Sequence, residues 1–223
     1  MNALSPEAVL AVIAAIRTHF AARLAGLLPS AESTSSTPSA GLAAELAKVL
    51  HLLANVDFSR PDAQRLQASG HPVIRQLQDV GAQEFPADVR PIAQAVLPCL
   101  DQLPWRYSYA PRPDAPDIGT RMAWAELVGP IAPFRSREVC LGLTAIGPGL
   151  LYPLHYHPAV ETYLVLCGTA DWTADGITRQ HPPGTLILHP ANIIHAMRAN
   201  ATPLLAAYAW TGDVETLSAY VGD

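Results

Sequence analysis

Cysteine is scarce in this chain, and the three present, Cys99, Cys140 and Cys167, are widely spaced. An odd number without any Cys-x-x-Cys pair excludes a disulfide framework and a thiolate metal knuckle, so buried reduced thiols are expected. Charge is sparse too: 15% of the 223 residues are charged, and Lys+Arg at 14 fall short of Asp+Glu at 19. The net charge of -5 leaves no basic field for phosphate backbones, which argues against nucleic acid as a partner. No uninterrupted apolar run of eighteen residues occurs, so no membrane span is expected, and the amino terminus lacks the basic start of a signal peptide. A soluble cytoplasmic protein is the resulting expectation. At 50% apolar residues, the chain can bury a substantial core.

Two textures follow one another along the sequence. Val9, Val12, Ile13, Ile16, Phe20, Leu24 and Leu27 recur at three- and four-residue steps, the period of a one-faced helix, with Ser5-Pro6 as its start and Pro29 as its stop. Leu42, Leu46, Val49, Leu50 and Leu53 repeat the spacing, as does the stretch from Pro91 to Leu103. Ser30 to Gly41, rich in Ser, Thr, Ala and Pro, reads as a mobile surface linker between helices. From Met122 onward, short runs of Val, Leu, Ile, Thr, Tyr and Trp are broken by Gly and Pro. Strands are expected at 122–128, 139–146, 151–157, 162–166, 170–173, 185–188, 193–198 and 204–210, with a short closing helix over 213–220. Many strands without intervening helices predict a barrel or sandwich. The division expected is a helical region over 1–110 and a β-barrel over 111–223.

Five of the eight histidines lie between His155 and His195. His155 and His157, two apart on a strand, project the same way, and Glu161 follows after a turn at Pro158, so three ligands can converge. His195 offers a further imidazole beyond a turn where Asn192 can adopt a left-handed backbone. Imidazoles with one carboxylate suit zinc, iron, manganese or nickel. His181 and His189 adjoin prolines and read as turn residues, and His19, His51 and His71 fall in the helical part without a chemical role.

The spacing Gly149, His155, His157, Glu161, Gly168, and in part Gly184, Pro190, His195, resembles the two motifs of the cupin barrels. Asn192 stands where a glycine is usual, and Asn200 one place later than the usual asparagine. Tyr163, two residues after Glu161, shares its strand face and points at the metal; Tyr152 precedes His155 near the barrel mouth. A phenol titrates near pH ~10, and a nearby cation lowers that value, so Tyr163 is a candidate general base with Tyr152 beside it.

With an all-helical segment ahead of one cupin barrel, the chain resembles the bacterial dimethylsulfoniopropionate (DMSP) lyases. The resemblance implies metal ligands at His155, His157, Glu161 and His195, with His155 alternatively a substrate contact, and the base at Tyr163. It implies β-elimination of DMSP, a small carboxylate, to dimethyl sulfide and acrylate. Tyr208 and Trp210, on one face of the last strand, are expected to receive the sulfonium cation. A metal-dependent cupin oxygenase or isomerase, or a non-catalytic small-molecule-binding cupin, are the alternatives, and a homodimer is left open.

Overall fold

The computed structural model describes residues 4–28, 38–67, 69–78, 80 and 85–222. Helix α1 spans Pro6–Leu27, capped by the Ser5 hydroxyl, which accepts from the Ala8 N–H at 3.1 Å. By length and composition α1 could cross a membrane; one face of it, Val9, Val12, Ile13, Ile16 and Phe20, is buried in the core that it shares with α2 (Pro38–Ala54) and α3 (Arg90–Val96). The linker expected over Ser30 to Gly41 is shorter at its far end, because Pro38 already opens α2; the part before it lies outside the described residues. Short 3-10 turns at Ala63–Leu66, Pro72–Gln76 and Leu97–Cys99 fill the helical region, and α4 (Ile118–Arg121) leads into the barrel.

Eleven strands follow: β1 Met122–Gly129, β2 Phe134–Arg135, β3 Val139–Ile146, β4 Leu151–Tyr156, β5 Val160–Cys167, β6 Ala170–Ala174, β7 Ile177–His181, β8 Leu186–His189, β9 His195–Ala199, β10 Leu204–Thr211 and β11 Ala219–Tyr220. They form two sheets, ordered β2-β1-β3-β10-β5-β8 and β11-β4-β9-β6-β7, which enclose the interior of a single cupin-type barrel. All eight expected strands are present. Strand β7 had no apolar pattern to show it: it is mostly exposed, and it pairs with β6 across Asp175-Gly176, both at positive φ. No helix closes the chain over Asp213 to Tyr220. The Asp213 carboxylate accepts from the N–H groups of Glu215 and Thr216 in a turn, and the chain then pairs with the edge of β4 as β11.

Alternation on the first sheet decides what reaches the interior. Ala123, Ala125 and Leu127 of β1, Leu141 and Leu143 of β3, Leu205 and Ala207 of β10, and Leu164 and Leu166 of β5 face outward into one core with the helices. Their neighbours Trp124, Glu126, Thr144, Tyr208, Trp210, Glu161 and Tyr163 face inward. Strand register aligns these into rows. One runs Cys140, Trp210, Glu161, His189; the next runs Glu126, Gly142, Tyr208, Tyr163.

Candidate metal centre

His157, Glu161 and His195 converge from three segments: the residue after β4, the start of β5 and the start of β9. One ligand atom from each lies within 4.8 Å of the others, and all three residues are buried. His157 Nε2 is 3.1 Å and His195 Nε2 3.4 Å from Glu161 Oε2. His155 adjoins this trio, directly opposite His195 in the β4–β9 register with its ring centroid 4.0 Å away. A register shift between Tyr152 and His155 turns both inward although they are three residues apart, and the Tyr152 ring stacks on His155 at 3.8 Å.

Backbone carbonyls orient the imidazoles. His155 Nδ1 lies 2.7 Å from the Pro153 carbonyl oxygen, His157 Nδ1 3.0 Å from that of Ala159, and His195 Nδ1 3.0 Å from that of Ile193. Each Nδ1 therefore carries the hydrogen and donates it, which leaves Nε2 as the lone-pair nitrogen. Asn192, at φ 62° as the sequence suggested, donates its N–H to the His157 carbonyl and fixes the turn before His195.

Glu161 is held from several sides. Burial pushes its carboxyl up, but the neighbouring imidazoles, His157 foremost and then His189 and His195, outweigh burial and hold it well below the usual carboxylate range. Burial also depresses His157, yet Glu161 and the Ala159 carbonyl together outweigh it and raise that imidazole; burial, reinforced by His195, holds His155 well below its ordinary value.

The donor set fits a divalent transition metal. With Nδ1 committed to a carbonyl, the Nε2 lone pairs of His157 and His195 face a carboxylate oxygen, acceptor against acceptor, and His195 Nε2 is buried without a hydrogen bond. Only a proton or a cation between them relieves that opposition. Three imidazoles and a carboxylate do not by themselves choose among zinc, iron, manganese and nickel.

One participant, His189, escapes the sequence reading, and Trp210, expected as a sulfonium contact, engages the trio itself. His189, expected at a turn, ends β8 one residue beyond the expected strand; it is fully buried, opposite Glu161, with Nδ1 3.4 Å from Oε2. The alternation of Thr185, Ile187 and His189 was the available signal. Trp210 donates its indole N–H to Glu161 Oε1 at 2.6 Å and stacks on His157 with centroids 4.2 Å apart, so it holds two members of the trio. Tyr163 and Tyr208 are buried on adjacent strands and line a cavity of about 380 Å³ that reaches the trio. Burial lifts the Tyr163 phenol well above its ordinary value and nearby Glu161 adds to this; the phenol engages Glu161 and Thr144. His181 stays at the partly buried end of β7, and His19 and His71 bond to backbone carbonyls far from the centre.

Fold and site together define a cupin barrel with a buried histidine-glutamate cluster that could hold a metal ion. A profile of the dimethylsulfoniopropionate lyases matches residues 44–206, and the chain belongs to that family. It is 35% identical over 113 residues to the dimethylsulfoniopropionate lyase DddQ of Ruegeria pomeroyi, covering 50% of this chain and 56% of that protein. It is 31% identical over 132 residues to the putative lyase DddL of Cereibacter sphaeroides, covering 58% and 55%. The matched stretches thus span little more than half of either relative. The crystal structure of DddQ from Ruegeria pomeroyi superposes with a TM-score of 0.67 at 24% identity, over 97% of this chain and 98% of that one, and shares its fold. A chain from the crystal structures of the lyases RdDddP and RnDddQII does so at 0.69, also 24% identical, over 97% and 99%.

Proposed function

We propose that the protein cleaves dimethylsulfoniopropionate by β-elimination, with Tyr163 as general base. The observation that carries this reading is the pairing of Tyr163 with Glu161 on one face of β5, inside a cavity that opens onto the histidines. The family and its named relatives supply the substrate class.

His157, Glu161 and His195 would hold the metal, with His155 at its rim as a further ligand or a substrate contact. When bound, a divalent ion supplies positive charge that anchors the substrate carboxylate, disperses charge developing at carbon two and favours the phenolate of Tyr163. Tyr163 Oη takes the proton from carbon two. The freed electron pair becomes the double bond between carbons two and three, the bond from carbon three to sulfur breaks, and its electrons leave on dimethyl sulfide. Acrylate remains, and the proton rests on Tyr163 until solvent removes it. Trp210 and His189 keep the Glu161 carboxylate in place, and the buried ring of Tyr208 closes the wall beside Tyr163.

Headspace detection of dimethyl sulfide from purified, metal-loaded protein tests the activity; none from dimethylsulfoniopropionate overturns it. Tyr163→Phe should lower turnover by ~10²-fold or more while metal content and fold persist. Near-normal turnover in that variant, with Tyr152→Phe inactive, would move the base to Tyr152.

A further inference from the structure

Glu126 is a buried carboxylate of this cavity that the elimination leaves unused. It sits on the inner face of β1, two residues after Trp124, and both line the cavity. A bulge between Glu126 and Val128 lets the strand bend just there. One oxygen accepts the Ile131 N–H at 2.9 Å, and the Arg106 guanidinium, which does not line the cavity, stands 4.0 Å from the other. Burial raises this carboxyl above its ordinary value, while the Ile131 N–H, Arg106, Arg135 and Arg65 favour the ionised form.

The neighbouring position on β3 is Gly142, in register with both Glu126 and Tyr208. A Cβ there would meet the Tyr208 hydroxyl at 2.6 Å, so the missing side chain is the space into which Tyr208 lies, toward Glu126. Trp124 packs 5.1 Å from Tyr109, another cavity-lining ring. A carboxylate lining one cavity with the rings of Trp124, Tyr109 and Tyr208 has the chemistry that receives a poorly hydrated, methylated cation. Trp210 is less suited, since His157 covers one face of its ring and Glu161 takes its N–H.

We propose that Glu126, Trp124 and Tyr208 form the cation-binding pole of the pocket, opposite the histidine-glutamate centre, and receive a methylated sulfonium or quaternary ammonium head. This rests on the elimination reading for the substrate's identity and deepens it. A zwitterion is stretched between the two poles, carboxylate at the histidines and sulfonium at Glu126, which leaves carbon two beside Tyr163 and aligns the carbon-sulfur bond. Specificity for a cationic leaving group then comes from β1 rather than from the metal ligands.

Trimethylsulfonium is the probe, because it carries the cationic head without a carboxylate; binding is read from tryptophan fluorescence and calorimetry on the metal-loaded protein. Glu126→Gln, which can still accept the Ile131 N–H, should weaken trimethylsulfonium about tenfold or more and leave acrylate binding within twofold. Trp124→Leu should weaken the cation likewise and decides the matter if the glutamine variant does not fold. With dimethylsulfoniopropionate, Glu126→Gln should raise KM more than it lowers kcat. Unchanged trimethylsulfonium affinity in these variants overturns the cation pole. Glu126-dependent cation binding in a wild-type protein that forms no dimethyl sulfide would instead overturn the elimination reading and leave the pole standing.

Discussion

Trp210 meets the centre in two ways, its ring on His157 and its N–H on Glu161 Oε1, and the two can be separated by mutation. Trp210→Phe keeps a ring for stacking but removes the donor, so Glu161 loses a charge-assisted hydrogen bond. Metal affinity should fall about 10- to 100-fold, the scale seen when groups supporting metal ligands are removed, while the fold persists. Chelator competition measures it, and unchanged affinity would make the 2.6 Å contact incidental. His195→Ala should abolish stoichiometric metal on elemental analysis, and retained metal would remove it from the ligand set. His189→Ala tests the residue missed at the end of β8. It removes the contact on Glu161 Oε2 and should weaken the metal less than His195→Ala does, because His189 lies outside the converging trio.

At the level of single elements, burial of an imidazole on α1 gives the helix a pH signature. His19 faces the Asp88 carbonyl, and burial lowers its pKa below the ordinary 6.5. The unfolded chain therefore binds more protons than the folded one between the folded value and 6.5. This contribution to stability is complete above pH ~6.5 and declines as pH falls through that window. The urea midpoint should drop less between pH 7.5 and 5.5 in His19→Gln than in the parent; equal drops would show that the imidazole is not linked to folding. The same elements show what the sequence makes legible. Period-two patterns locate the long strands, and the motif spacing finds His155, His157, Glu161 and His195, because those signals are local. Cross-strand register is not local: that Trp210 faces Glu161, or that Tyr208 lies over Gly142 toward Glu126, depends on how β10 docks between β3 and β5. The polar strand β7 and the edge strand β11 have no apolar alternation to reveal them.

Across the whole molecule, the outward face of the first sheet and the helices bury one another in a single core, so the helical region is continuous with the wall that carries Glu161 and Tyr163. Thr211, next to Trp210, donates its hydroxyl to the buried Glu45 carboxylate of α2. Thr211→Val keeps the shape but strips Glu45 of that donor. It should cost about 1–3 kcal/mol in chemical denaturation, and a loss below a few tenths would show that water replaces the hydroxyl.

Strand β10 lies at the middle of its sheet although it is the last of that sheet's strands in sequence. During synthesis, β1 with β3 and β5 with β8 can form as separate pairs, but neither row of inward residues is continuous until β10 slides between them. Maturation of the centre is therefore expected late on the folding path, set by long-range strand insertion rather than by helix formation. In refolding from urea, the tyrosine- and tryptophan-rich interior should gain its near-ultraviolet signal after the helices regain theirs in the far ultraviolet. Simultaneous recovery of the two signals would mean that barrel and helices condense in one step.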